Sequence, residues 1–134
     1  MRFYSMTMVD QVGAPGELAG LRILIVEDDM LQALSYQDML CEAGAAVVGP
    51  YASASDAMAV LGNVTCHVAM IDFSLGNDTA VQLQERLEQF EIPYIVITGY
   101  PKVLVRRNPD QTIVGKPVTS EVLCGLLAAK ARRH

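Results

Sequence analysis

Apolar residues along this chain come in short unbroken runs, separated by stretches with the period of a helix. The run Ile23-Leu24-Ile25-Val26 has no polar alternation, which predicts a strand buried on both faces, as in a parallel sheet. Ala46-Val47-Val48-Gly49, Val68-Ala69-Met70-Ile71, Tyr94-Ile95-Val96-Ile97 and Thr112-Ile113-Val114 predict further strands. Met30, Ala33, Leu34, Leu40 and Cys41 fall at helical spacing, and Gly44 is placed to end that helix. Ser53 precedes Asp56 by three residues, a capping signal for a helix reaching about Leu61. A helix from about Thr79 to Phe90 offers Val81, Leu83, Leu87 and Phe90 for packing. A last helix starts at Thr119 or Ser120 and carries Val122, Leu123, Leu126 and Leu127. Strands alternating with helices predict an α/β fold, a doubly wound five-stranded parallel sheet with helices on both faces. Between Gly99 and Gln111, Pro101, Asn108 and Pro109 leave room for at most one short helix, so the fourth helix is expected to be short or remodelled. Residues 1–20 contain Gly13, Pro15, Gly16 and Gly20 and no period. They predict a flexible N-terminal leader before a single domain over residues 21–134.

The length of 134 residues suits one domain with its own core. A net charge of −5 argues against nucleic-acid binding, which needs a basic face. No apolar run approaches the length that spans a bilayer, and the N-terminus has no secretory apolar segment. Cys41, Cys66 and Cys124 are odd in number and lie among apolar residues. They read as buried thiols rather than a disulfide or metal set, which fits a cytoplasmic location.

Candidate chemistry gathers at strand ends. In an open parallel sheet the carboxyl ends of the strands form the ligand crevice. The first strand ends in Glu27-Asp28-Asp29, the third in Asp72, the fourth in Thr98 and the fifth in Lys116-Pro117. Each has an ordinary reading. Asp28 or Asp29 can cap the helix that starts near Met30, a role that suits Asp29. Thr98 can be a turn residue, and Lys116 a surface lysine. All of them at one end of one sheet is a different matter. Clustered carboxylates raise one another's pKa unless a cation is present. Such a set suits Mg²⁺, and no His or Cys spacing suggests Zn²⁺. A carboxylate beside Mg²⁺ can attack phosphorus, and phosphoryl transfer needs mainly positioning and charge neutralisation.

The segments Ile23 to Asp29, Met70-Ile71-Asp72, Ile97-Thr98-Gly99-Tyr100 and Gly115-Lys116-Pro117 together resemble the receiver (CheY-like, flavodoxin-like) domain of response regulators. The resemblance covers about Leu21 to Arg132. It implies that Asp72 is the phosphoacceptor. It also implies a Mg²⁺ site formed by Asp28, Asp72, Glu27 acting through water, and the main-chain carbonyl of Ser74. Thr98 would contact the phosphoryl group, Lys116 would pair with it, and the Lys116-Pro117 bond would be cis. The donor would be a histidine kinase or a histidine phosphotransfer protein. Output would pass to an unknown protein target, or the chain would act as a phosphate sink, as a monomer or a phosphorylation-dependent dimer. Enzymatic activity beyond its own phosphoryl transfer and autodephosphorylation is not expected, nor are nucleic-acid or membrane partners. Val96-Ile97-Thr98-Gly99-Tyr100, Leu18-Ala19-Gly20, Gly49-Pro50 and Leu75-Gly76 are similar to a stand-alone alphaproteobacterial group with a Thr-Gly-Tyr motif.

Two departures stand out. Ile113 occupies the position where many receivers carry a switching aromatic, and Tyr100 is a candidate substitute. The interval from Thr98 to Lys116 is short for the family. These departures leave an unphosphorylated pseudo-receiver binding module as the alternative. A phosphatase with an aspartyl intermediate would want a second Asp where Ser74 stands, and a flavin-binding protein would want a Ser/Thr-rich phosphate loop after the first strand.

Overall fold

The computed structural model describes residues 16–72, 77–100 and 111–132, with the backbone alone for 77–79. In chain order the elements are β1 (Arg22–Val26), α1 (Met30–Glu42), β2 (Ala46–Tyr51), α2 (Ala54–Val60), β3 (Val68–Asp72), α3 (Asn77–Gln89), β4 (Tyr94–Thr98), β5 (Thr112–Gly115) and α4 (Ser120–Arg132). The strands form one parallel sheet in the order β2-β1-β3-β4-β5, the flavodoxin-like arrangement. The expected five-stranded, doubly wound sheet is therefore present. The helix expected between β4 and β5 falls on residues 101–110, outside the described residues.

Alternate residues of the central strands feed two cores. Ile23, Ile25, Met70, Ile95 and Ile97 face Tyr36 and Leu40 of α1 and Leu123 and Leu127 of α4. Leu24, Val26, Ala69, Ile71 and Val96 face Ala54 and Ala57 of α2 and Leu83 and Leu87 of α3. Burial on both faces is why these strands read as continuous apolar runs. Each fully buried Leu or Ile contributes about 1.5–3 kcal/mol relative to an exposed one.

Local signals act as the sequence predicts at two helix starts. Asp29 caps α1, its Oδ1 accepting from the Leu31 and Gln32 amides at 2.9 and 3.1 Å. Ser53 Oγ accepts from the Asp56 amide at 3.1 Å at the start of α2. Gly44 follows α1 at φ +95°, which favours glycine. Gly49 has the same φ, and a Cβ there would meet the Tyr51 nitrogen at 2.8 Å. This bend accompanies the shift in β1–β2 register after Leu24, and beyond it the Glu27 amide donates to the Tyr51 carbonyl at 2.9 Å.

Four expectations need correction. Leu18 is fully buried, and its amide donates to the Ala43 carbonyl at 3.0 Å, so the core extends back into the stretch assigned to the leader. Residues 1–15 lie outside the described residues. The apolar spacing in α1 marks a helix, but its buried face is Ala33, Tyr36 and Leu40. Met30 and Leu34 lie about a quarter turn away and are exposed. Of the cysteines, Cys124 is buried, Cys66 partly so and Cys41 exposed, because Cys41 lies on that same outward side of α1. Phe90, just beyond α3, is only partly covered, at 42% exposure.

Candidate functional site

Sheet register brings the chemistry together. Val26 lies beside Ile71, so Glu27 emerges level with Asp72. Asp72 lies beside Ile97, and Thr98 beside Gly115, so Thr98 and Lys116 follow at the same edge. The Lys116 amide donates to the Thr98 carbonyl at 2.8 Å, tying the two strand ends. The Lys116-Pro117 bond is cis, as is Gly49-Pro50.

Asp72 is buried, with 1% exposure, at the C-terminal end of β3. Lys116 Nζ lies 2.5 Å from its Oδ2, and the lysine side chain is only a quarter exposed. Glu27 is also buried. Its Oε2 accepts from the Asp29 amide at 3.0 Å, while its Oε1 is buried with no hydrogen-bond partner. Burial chiefly, and then the Asp72 carboxylate, push the Glu27 carboxyl from 4.5 up to about 8; the Asp29 amide opposes this. Asp28 projects at the exposed rim. Thr98 is buried, and its Oγ1 accepts from the Tyr100 amide at 3.1 Å, while the Tyr100 side chain is exposed. Ser74 lies outside the described residues.

The pocket sets three carboxyl groups, Glu27, Asp28 and Asp72, against one ammonium, and burial disfavours charging Glu27 without a further cation. Its orphaned Glu27 oxygen has the chemistry of a group that binds a hard cation, directly or through water. Among the described residues no three His, Cys, Asp or Glu side chains form a metal cage by themselves. An ion that keeps several of its waters does not require one.

Sequence reasoning missed two contributors on α1. Gln32 Oε1 accepts from Lys116 Nζ at 3.0 Å. Tyr36, one turn on, has its hydroxyl pKa raised to about 12, by burial first and then by the Asp72 and Glu27 charges. Their signal was positional: both lie on the α1 face that follows the Asp29 cap. With Ser35, Met39, Lys116, Pro117 and Val118 they line an open groove of about 460 Å³.

Fold and site together define an open α/β domain whose acidic pocket pairs a buried carboxylate with a lysine. Known proteins share this frame. The Erythrobacter litoralis PhyR response regulator REC domain superposes with a TM-score of 0.72 at 23% identity, covering 88% of this chain and 94% of that one. PhyR from Brucella abortus gives 0.74 at 25% identity, covering 89% of this chain and 50% of the other. In sequence, the sensor protein TorS of Escherichia coli (strain K12) is 32% identical over 119 residues, covering 83% of this chain and 13% of TorS. The chain thus spans a small part of that curated relative. No family model matches. The chain has the fold of the response-regulator receiver (CheY-like) domains of two-component signalling. No helix among the described residues is long and apolar enough to cross a membrane.

Proposed function

We infer that this chain accepts a phosphoryl group from phosphohistidine onto Asp72 and passes the signal on through protein contacts or acts as a phosphate sink. The observation that carries this reading is the buried Asp72 carboxylate held by Lys116 beside the unpartnered Glu27 oxygen.

In this reading an Asp72 oxygen forms the bond to phosphorus as the nitrogen–phosphorus bond of the donor breaks. The departing imidazole keeps that bonding pair. The Lys116 ammonium lies where it can offset charge on the phosphoryl oxygens. The Thr98 hydroxyl can donate to one of those oxygens while still accepting from the Tyr100 amide. Glu27, Asp28 and the Ser74 carbonyl would hold Mg²⁺ together with Asp72. When bound, Mg²⁺ supplies charge neutralisation for the carboxylates and the incoming phosphate. The exposed Met30, Leu31 and Leu34 on α1 flank this end of the sheet and suit a protein donor rather than a small molecule.

Ile113 favours the alternative of an unphosphorylated binding module. It packs against the core facing α2 and α3, where an aromatic side chain would otherwise report on Thr98. Incubation with phosphoramidate separates the two. The reading expects a phosphoryl mass increment on the wild type that needs Mg²⁺ and is absent from Asp72→Asn. Labelling of Asp72→Asn at the wild-type level contradicts it.

A further inference from the structure

The contacts around Asp72 close into a ring. Glu27 Oε2 accepts from the Asp29 amide, and Asp29 Oδ1 accepts from the Gln32 amide. Gln32 Oε1 accepts from Lys116 Nζ, and Lys116 Nζ meets Asp72 Oδ2. Asp72 in turn presses its charge on Glu27. The ring joins the first turn of α1 to the loop after β5, elements far apart in sequence.

We propose that Gln32 is a positioning residue for phosphoryl transfer: it holds the Lys116 ammonium at the pocket mouth as a neutral acceptor. This rests on the phosphoacceptor reading of Asp72. A lysine ammonium has three donors and a flexible stem. Asp72 holds the ammonium as an ion pair at 2.5 Å, whereas Gln32 takes one of its N–H donors in a directional hydrogen bond, so the amide fixes the orientation that charge attraction alone leaves free. Phosphoryl transfer replaces the Asp72 charge with oxygens farther out. A lysine held by Asp72 alone would have no second anchor at that moment; one held by Gln32 stays aimed at the new oxygens. The acceptor has to be uncharged. A carboxylate at this position would neutralise the ammonium and repel the phosphoryl group, whereas the amide oxygen orients the lysine and leaves its charge intact.

The test is a double-mutant cycle on the full chain, reading the rate of phosphoramidate labelling with Mg²⁺. Gln32→Met removes the acceptor and keeps the length and helix propensity of the side chain. It is expected to slow labelling about tenfold, the scale of one hydrogen bond to a charged group, with unchanged Mg²⁺ affinity. In a Lys116→Met background the same substitution is expected to have no further effect. A structural role would produce equal losses in both backgrounds, and that result overturns the proposal. So does a Gln32→Met protein that labels like the wild type. Gln32→Ala repeats the test should the methionine pack into the neighbouring groove. If the wild type itself does not label, the Asp72 reading fails and this proposal falls with it. Normal wild-type labelling with no Gln32 effect removes the proposal alone.

Discussion

Glu27 is strongly perturbed by its surroundings. Its carboxyl is raised from 4.5 to about 8, first by burial and then by the Asp72 carboxylate. A folded-state pKa above the unfolded one means that the folded chain holds the extra proton between those values. Stability is therefore greatest below the lower value and falls as pH rises towards the upper one. In metal-free protein, the urea midpoint is expected to drop between roughly pH 5 and pH 8. Glu27→Gln, which cannot ionise, should flatten that drop. Added Mg²⁺ should raise the midpoint of the wild type most at the alkaline end, where the carboxylates are charged. A midpoint equally steep in Glu27→Gln would place the pH dependence elsewhere. Leu18 makes a separate prediction. Because it is fully buried, Leu18→Ala should cost about 2–5 kcal/mol by urea unfolding. A cost near zero would mean that the residues before β1 are dispensable to the core.

At the level of elements, α1 links packing to the site. Asp29 satisfies two amides of its first turn, and that turn carries Gln32 to Lys116. Asp29→Ala should lower stability by about 1 kcal/mol, a Tm decrease of roughly 3–5 °C by calorimetry. It should also slow phosphoramidate labelling, which cap loss in α2 by Ser53→Ala should not. The sequence made the strands legible because burial on both faces leaves no room for polar residues, as in Ile23 to Val26. It also made the caps legible, because Asp29 and Ser53 have the side chains that reach back to exposed amides. The working face of α1 was harder to read. Met30 and Leu34 are more apolar than Gln32 and Tyr36, yet they point outward, while Tyr36 is buried and Gln32 is turned to Lys116. Hydrophobicity alone assigns such a helix to the wrong side when a polar site borders the core. Leu18 was hidden for a similar reason: a single apolar residue among glycines has no period to reveal it.

For the molecule as a whole, parallel register is what converts separate motifs into one pocket. Glu27, Asp72, Thr98 and Lys116 are spread over 90 positions of sequence, yet pairing of β1, β3, β4 and β5 leaves them at one edge. Their convergence was legible once the strands were, since each residue ends its run. The lysine's second partner was not, because it depends on where a helix lands. The measurement that tests the central claim most directly is localisation of the acyl phosphate. After phosphoramidate and Mg²⁺, borohydride reduction should convert the phosphorylated aspartate to homoserine. Peptide mass mapping is predicted to find that conversion at Asp72, and only in samples that received Mg²⁺. Reduction at Asp28 or another carboxylate instead of Asp72, or the same yield without Mg²⁺, would contradict the account.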